Sequence, residues 1–408
     1  MCQISYIQDE FKLYPAVYLR SKQVFATECI STEQLRHQQE YSSTPGRALS
    51  ALQSHLSPPS QRTSPTIFNT QIRKMASIPS TQNAVIIETT GGPEVLQFRT
   101  DHPVPQLQEG EILVKNNIAG INFIDTYFRT GLYASPKPEI LGREAAGTIV
   151  ALGPGAPNPY GFQVGDRVIW MSVSGYAQYT AVPAKTAIKI PDGVSDEDLV
   201  ASFLSGLTVL TLVKETYAVQ KGDIVLVHAA AGGAGILMVQ ILKSLGAVVI
   251  GTAGGAEKVA LVKSLGADHV IDYRSEEGKD WVKIVKKITN GRGVDVVYDS
   301  VGKDTWEGSL EVVKRKGFVA WFGNASGPVP AFPIQLLAPK CIKIARPMVN
   351  GYLVEREEYE YWANQLFDLL KSGELKVKIN KIFPLAEVQQ AHKDLEGRKT
   401  TGKTLLRP

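Results

Sequence analysis

The run Ile224-Val225-Leu226-Val227-His228-Ala229-Ala230-Ala231-Gly232-Gly233-Ala234-Gly235 constrains this chain more than any other stretch. Its apolar opening reads as a strand buried on both faces, and the small residues after it form a turn into a helical pattern running on from Ile236. Such a turn lets backbone N–H groups at a helix N-terminus approach a pyrophosphate, where the helix dipole also favours negative charge. Set against G-x-G-x-x-G the match is Ala230-x-Gly232-x-x-Gly235, with the first glycine missing. A second strand pattern at 247–252 follows at the spacing a strand-helix-strand unit requires. A bound dinucleotide is the leading expectation.

In such units the second strand usually ends in an acid that accepts hydrogen bonds from the adenosine ribose. Here it ends Gly251-Thr252-Ala253-Gly254-Gly255-Ala256-Glu257-Lys258, so a ribose 2′-phosphate would meet the Lys258 cation. NADPH is therefore expected over NADH. Taken alone, Lys258 is equally an ordinary solvated lysine. Tyr273 and Arg274, after the strand pattern at 269–272, are candidates for further phosphate or adenine contacts.

At 408 residues the chain exceeds what one hydrophobic core usually organises, and two domains are expected. A net charge of +4, with Lys and Arg scattered among acids, gives no electrostatic case for nucleic-acid binding. No apolar run approaches the roughly 20 residues of a membrane-spanning helix. The cysteines Cys2, Cys29 and Cys341 lie far apart, supporting neither a disulfide framework nor a structural zinc lobe, and a reducing compartment is the natural setting.

Residues 1–80 read as a disordered extension, since Ser42-Ser43-Thr44-Pro45-Gly46, Ser57-Pro58-Pro59-Ser60 and Thr63-Ser64-Pro65-Thr66 break any periodicity. From Ser42 to Lys74 the only charges are Arg47, Arg62, Arg73 and Lys74, as in a mitochondrial transit segment. Against that, Asp9, Glu10, Glu28, Glu33 and Glu40 precede the stretch, and Met75 offers an alternative start. A cytoplasmic location is expected, or a mitochondrial one if the extension is a transit segment.

Strand patterns at 83–88, 95–99, 111–118, 147–152, 166–171 and 175–182 describe a β-rich, turn-rich module. After Pro191 strands near Ile224, Val248, Val270, 294–299 and 317–323 alternate with helical patterns, which predicts a parallel sheet with helices on both faces. A helix at 357–372 and a strand at 377–384 are expected to return to the first module.

Asn122-Phe123-Ile124-Asp125-Thr126-Tyr127, Gly142-Arg143-Glu144-Ala145-Ala146-Gly147, Val164-Gly165-Asp166-Arg167-Val168, Gly206-Leu207-Thr208, the 229–235 turn, Tyr298-Asp299-Ser300-Val301-Gly302 and Phe322-Gly323-Asn324 carry a resemblance. Together they resemble the zinc-free quinone oxidoreductases, the zeta-crystallin branch of the medium-chain dehydrogenase/reductase superfamily, collinearly from about Gln82 to the C-terminus. The resemblance implies an α/β fold. A GroES-like β-rich catalytic domain at 81–207 precedes a Rossmann doubly wound parallel-sheet NADPH-binding domain at 208–345, and 346–408 returns to the catalytic domain.

Zinc-dependent members carry Gly-His-Glu where this chain has Gly142-Arg143-Glu144, and no cysteine lies between Cys29 and Cys341. No ligand set for a catalytic zinc is evident, so no metal site is expected. The lone carboxylate of Glu144 reads as readily as an ion pair with a nearby Arg as anything catalytic.

The resemblance further implies NADPH in a cleft between the modules. Asn122, Tyr127 and Tyr133 would approach it from the first module, Thr208 from the junction, and Gly232, Gly233 and Gly235 at the pyrophosphate. Lys258 and Tyr273 would sit at the adenosine end, and Phe322, Asn324 and Arg398 around the nicotinamide. Each has an ordinary alternative: Asn122 as a turn cap, Tyr127 and Phe322 as packed rings, Arg398 as a loop cation. Tyr127 is the preferred catalytic proton donor with Asn122 orienting it, and solvent is the other proton source. His228 reads as structural.

The function expected is zinc-independent reduction of quinones by NADPH, by hydride or one-electron transfer. The alternatives are an NADPH-dependent alkenal or enone reductase and, from relatives in the resembled family, binding of AU-rich RNA regulated by NADPH. A homodimer is expected through the sheet edge near 318–322 and the segment 332–343.

Overall fold

The structure, a computed structural model, describes residues 78–154 and 158–408. The disordered or targeting extension expected at 1–80 lies outside the described residues, save for its last three positions.

Short apolar strands between helical segments build one six-stranded sheet, with all neighbours parallel. Its order across the sheet is His269–Asp272, Val248–Ala253, Ile224–Val227, Val294–Asp299, Val313–Trp321 and Lys343–Ala345. Every residue of Val294–Asp299 is buried, as a central strand covered on both faces requires. Chain direction across the sheet reverses between Ile224–Val227 and Val294–Asp299. In doubly wound sheets ligands bind outside the strand ends at that reversal.

The outermost strand corrects one expectation. Phe318 pairs with Lys343 and Ala320 with Ala345, so the segment at 318–322 is not a sheet edge. The three residues 343–345 cover it.

A second sheet runs Ile379–Pro384, Lys403–Arg407, Glu111–Gly120, Glu144–Leu152, Arg167–Met171 and Ala187–Lys189, with Tyr179–Pro183 also paired to Glu111–Gly120. The C-terminal strand thus lies antiparallel to Glu111–Gly120, with Leu405 opposite Gly120. A smaller sheet joins Gln97–Pro103, Thr81–Ile87 and Glu139–Ile140. The strand expected at 95–99 starts later because Pro93 opens a 3-10 turn over Pro93–Val95.

Helix α1 spans Phe123–Thr130 and helix α2 Asp196–Thr211. Ser195 caps α2 by accepting from the Asp198 N–H at 3.0 Å, and Asp196, Glu197 and Asp198 complement the dipole of its first turn. With its continuation the helix covers Asp196–Thr216, long and apolar enough to cross a membrane by length and composition, which corrects the expectation that no run approaches that length. Its apolar window is 72% buried inside the protein, so these residues are core. The expected domain boundary at 207/208 falls within α2. Leu207, Leu210 and Phe203 share one core with Leu237, Met238, Trp362 and Leu366. At Gly206 a Cβ would stand 2.7 Å from Leu366, so the glycine admits the helix Arg356–Lys371 at close range.

Candidate active site

Helix α3, Gly233–Ser244, begins where the first strand of the parallel sheet ends. The left-handed conformation of this turn falls on Ala229, at φ +51°, just before the position where the sequence lacks a glycine. A Cβ at Gly235 would stand 2.4 Å from the Ala229 carbonyl oxygen and 2.7 Å from Ala230 backbone atoms, so only glycine lets the helix pack this closely on the turn. At Gly233 the nearest atom to a Cβ would be Lys403 Cδ at 3.7 Å. One glycine is fixed by packing, and the other leaves open backbone at a helix N-terminus. That cradle fits a pyrophosphate.

Helix α4, Ala256–Ser264, carries Lys258 in its first turn. Lys258 Nζ donates to the Arg398 carbonyl at 2.8 Å. Partial burial lowers its pKa, and the charges of Arg274 and Arg398 act in the same direction while Glu257 opposes them. Tyr273 lies over the adjoining turn: a Cβ at Gly254 would be 2.6 Å from its hydroxyl. Asp272 orders that turn by accepting from the N–H groups of Gly255 at 2.8 Å and Arg274 at 3.0 Å, and these bonds hold its carboxyl below the usual range. Arg398, expected at the nicotinamide side, accepts from Lys258 at its backbone carbonyl, while its guanidinium lies 3.6 Å from the Asp304 carboxylate. Its charge nevertheless acts on Lys258.

A second group gathers around Tyr127. Its hydroxyl accepts from the Asn324 backbone N–H at 2.8 Å, and burial pushes its pKa up to about 12 despite that bond. The Tyr133 ring meets it edge to face at 5.3 Å. Arg346 Nη2 donates to the Tyr133 hydroxyl at 2.7 Å. With the Asn324 side-chain oxygen accepting from Tyr133 and Arg346, both at 3.2 Å, its amide nitrogen donates to the Gly323 carbonyl at 3.0 Å. Phe322 is half-buried against the central core and donates its N–H to the Asp299 carbonyl at 2.9 Å. Beside this group opens a cavity of about 990 Å³ walled by Leu132, Trp321, Val329, Phe332 and Met348, with Arg346 its one charged lining residue. Arg346 escaped sequence reasoning, for a lone arginine in a loop carries no periodic or motif signal.

Asn122 is the N-cap of α1, yet its side chain makes no cap hydrogen bond. Asp125 accepts from the Asn122 backbone N–H at 2.8 Å instead, while the Asn122 amide nitrogen donates to Glu144 Oε1 at 2.8 Å and its oxygen accepts from Lys403 Nζ at 2.5 Å. Lys403 also donates to Glu144 Oε1 at 2.6 Å. Glu144 thus pairs with a lysine from the last strand, not an arginine. Asn122 makes its side-chain hydrogen bonds to these two residues and does not orient Tyr127; Asn324 does. Thr208 donates its hydroxyl to the Leu204 carbonyl at 2.7 Å, one helical turn back, which leaves its oxygen free to accept.

Residues 108–192 match the alcohol dehydrogenase GroES-like domain, and 233–369 match the zinc-binding dehydrogenase domain. Over 324 residues the chain is 45% identical to a quinone oxidoreductase of Salmonella typhimurium, spanning 78% of this chain and 97% of that protein. The chain belongs to the quinone oxidoreductase family of the medium-chain dehydrogenase/reductase superfamily. The crystal structure of Escherichia coli quinone oxidoreductase complexed with NADPH superposes with a TM-score of 0.76 at 42% identity, over 80% of this chain and 100% of that one. A 2-haloacrylate reductase from Burkholderia is 37% identical over 340 residues, 80% of this chain and 98% of its own.

In this quinone oxidoreductase family member an arginine stands where zinc-dependent members carry histidine. Arg143 there donates to Glu139 at 2.5 Å and lies 3.8 Å over the Phe128 ring. Among the described residues, no group of three His, Cys, Asp or Glu side chains could hold a metal ion. His228 is buried between the hydroxyls of Thr252 at 3.2 Å and Ser309 at 3.3 Å, and burial lowers its pKa.

Proposed function

We propose that this protein reduces quinones with NADPH. The observation that carries the proposal is the convergence of Lys258, Arg274 and Arg398 beside the glycine-rich turn. Positive charge from Arg274 and Arg398 set against Lys258 suits an anionic partner, and a ribose 2′-phosphate bound to an N-terminal helix turn is such a partner. The E. coli relative was solved with NADPH. Gly232, Gly233 and Gly235 would hold the pyrophosphate, Tyr273 with the cation group the adenosine end, and Asn122, Tyr127, Thr208, Phe322 and Asn324 the nicotinamide end.

When bound, NADPH supplies the reducing electrons, as a hydride or singly. The protein binds, orients and excludes water. A quinone oxygen becomes more basic as it is reduced, so hydrogen-bond donors placed there favour the reaction. Tyr127, with its pKa pushed up to about 12, keeps its proton at neutral pH and serves as a donor of hydrogen bonds rather than of protons. Solvent supplies the protons.

A second reading is reduction of an activated alkene bearing a carboxylate. Arg346, the one charge lining a mainly apolar cavity, suits such a substrate, and the Burkholderia relative is a 2-haloacrylate reductase. NADPH oxidation followed at the nicotinamide absorbance, with phenanthrenequinone, an alkenal and chloroacrylate in parallel, separates the two. Preferred quinone turnover supports the first reading, faster alkene turnover moves the function to the second, and turnover of none overturns both.

A homodimer completes the proposal. The outer strand Lys343–Ala345 leaves Ile344 38% exposed, and Ile334 and Leu336 beside it are 70% and 51% exposed. An unpaired edge with apolar side chains is suited to meeting a second copy. Sedimentation at micromolar concentration tests it, and a monomer mass would contradict it.

A further inference from the structure

The side chains of Lys403 and Glu144 are 4% and 0% exposed, an ion pair withdrawn from water at the floor of the site. Burying such a pair is costly, and an apolar pair of the same volume often gives equal or better stability. The surroundings are shaped for it nonetheless. A Cβ at Gly120 would stand 2.4 Å from Glu144 Oε1, so the glycine makes room for the carboxylate, while the Leu204 N–H of α2 donates to its other oxygen at 2.8 Å. The lysine follows Gly402, whose N–H donates to the Ala231 carbonyl in the glycine-rich turn at 3.1 Å, and its stem passes 3.7 Å from where a Gly233 Cβ would be.

The pair has one polar neighbour in common, Asn122. An asparagine amide fits most sites either way round, because its two ends have nearly the same size. Here an ammonium, which only donates, meets the oxygen, and a carboxylate, which only accepts, meets the nitrogen. The reversed amide would set N–H against N–H and oxygen against oxygen. The orientation is therefore fixed, the carbonyl is consumed, and one amide N–H remains uncommitted.

We propose that Lys403 is a positioning residue that sets the Asn122 amide as a hydrogen-bond donor to the acceptor oxygens of ligands in the cleft, and that ties this amide to the cofactor turn through Gly402. The proposal rests on the reading above that Asn122 faces the bound cofactor and substrate. Lys403 touches no reacting atom in this account. It acts through Asn122.

A double-mutant cycle tests this directly. Lys403→Met alone strands a buried carboxylate, so the arm is built as Lys403→Met with Glu144→Gln, and the other arm is Asn122→Ala. Each arm is expected to lower kcat/KM for phenanthrenequinone about tenfold, and their combination no further, because both remove the same oriented donor. Losses that multiply to about a hundredfold, or native kcat/KM in either arm, would overturn the proposal. The same cycle is run on the NADPH dissociation constant, read from nicotinamide fluorescence. A protein that turns over no quinone then fails the functional reading, while non-additive NADPH affinities still support the role of Lys403 and additive ones overturn it.

Discussion

The backbone N–H of Asn324 donates to the hydroxyl of Tyr127 at 2.8 Å, across 197 residues of sequence. One partner leaves the C-terminal end of a parallel strand and the other rides on α1, so this bond ties α1 to the parallel sheet. Tyr127→Phe leaves that N–H without its partner, at a cost of about 1–3 kcal/mol, and is expected to lower both Tm and kcat/KM. Because burial raises the hydroxyl to about 12, the native pH–rate profile is expected to stay flat through about pH 10, where an ordinary tyrosine ionises. A basic limb there that vanishes in the phenylalanine variant would contradict this environment.

Lys258→Ala removes one cation from the group that includes Arg274 and Arg398. A charge-assisted hydrogen bond contributes about 1.5–3 kcal/mol, so KM for NADPH is expected to rise roughly ten- to a hundredfold while KM for NADH stays nearly unchanged. Equal losses with both cofactors would place Lys258 outside the phosphate site.

The two glycines of the turn separate stability from binding. Gly235→Ala drives a Cβ to within 2.4 Å of the Ala229 carbonyl, and the unliganded protein is expected to melt at a lower temperature. Gly233→Ala meets nothing nearer than 3.7 Å and is expected to melt like the native protein without cofactor. It is nevertheless expected to lose most of the Tm rise that NADPH gives, since the added methyl stands where the pyrophosphate approaches. Identical behaviour of the two variants would contradict this assignment.

Under α1 lies a buried network with its own pH signature. Arg129 donates to His392 Nδ1 at 3.1 Å, so that nitrogen must keep its lone pair; burial first, then the Arg129 charge, lowers the imidazole to about 3 from 6.5. Its stabilising contribution is fully present above pH 6.5 and is lost as pH falls through about 3. Asp125, raised by burial to about 6 from 3.8, has the opposite sign: its contribution is present below pH 3.8 and lost as pH rises through about 6. Between about pH 4 and 6 the two contributions offset each other in the native protein, so urea midpoints there are expected to rise on acidification in His392→Gln and to fall on acidification in Asp125→Asn. Unchanged slopes in both variants would contradict these environments.

Much of the architecture was legible because it is written in local pattern. The apolar strand at Ile224–Val227 and the glycines after it announce their turn, and Val294–Asp299 reads as a buried strand from composition alone. Lys258 and Tyr273 follow the ends of strands that local pattern marks. Residues whose role depends on remote partners were not legible. Lys403 reaches Glu144 across 259 positions, and nothing beside it in sequence distinguishes it from Lys399. Arg398 is a further case: a loop cation shows its charge in sequence but not its neighbours, here Lys258 at its carbonyl and Asp304 at its guanidinium. The outer strand at 343–345 is too short to show an alternation, so its partner at 318–322 looked like an edge.

Initial rates of phenanthrenequinone reduction with NADPH and with NADH, at matched, sub-saturating concentrations, test NADPH-dependent quinone reduction most directly. A rate with NADPH at least tenfold above that with NADH is the expected result, and it should shrink toward parity in Lys258→Ala. Equal rates with the two cofactors, or no quinone turnover with either, would contradict NADPH-dependent quinone reduction by this protein.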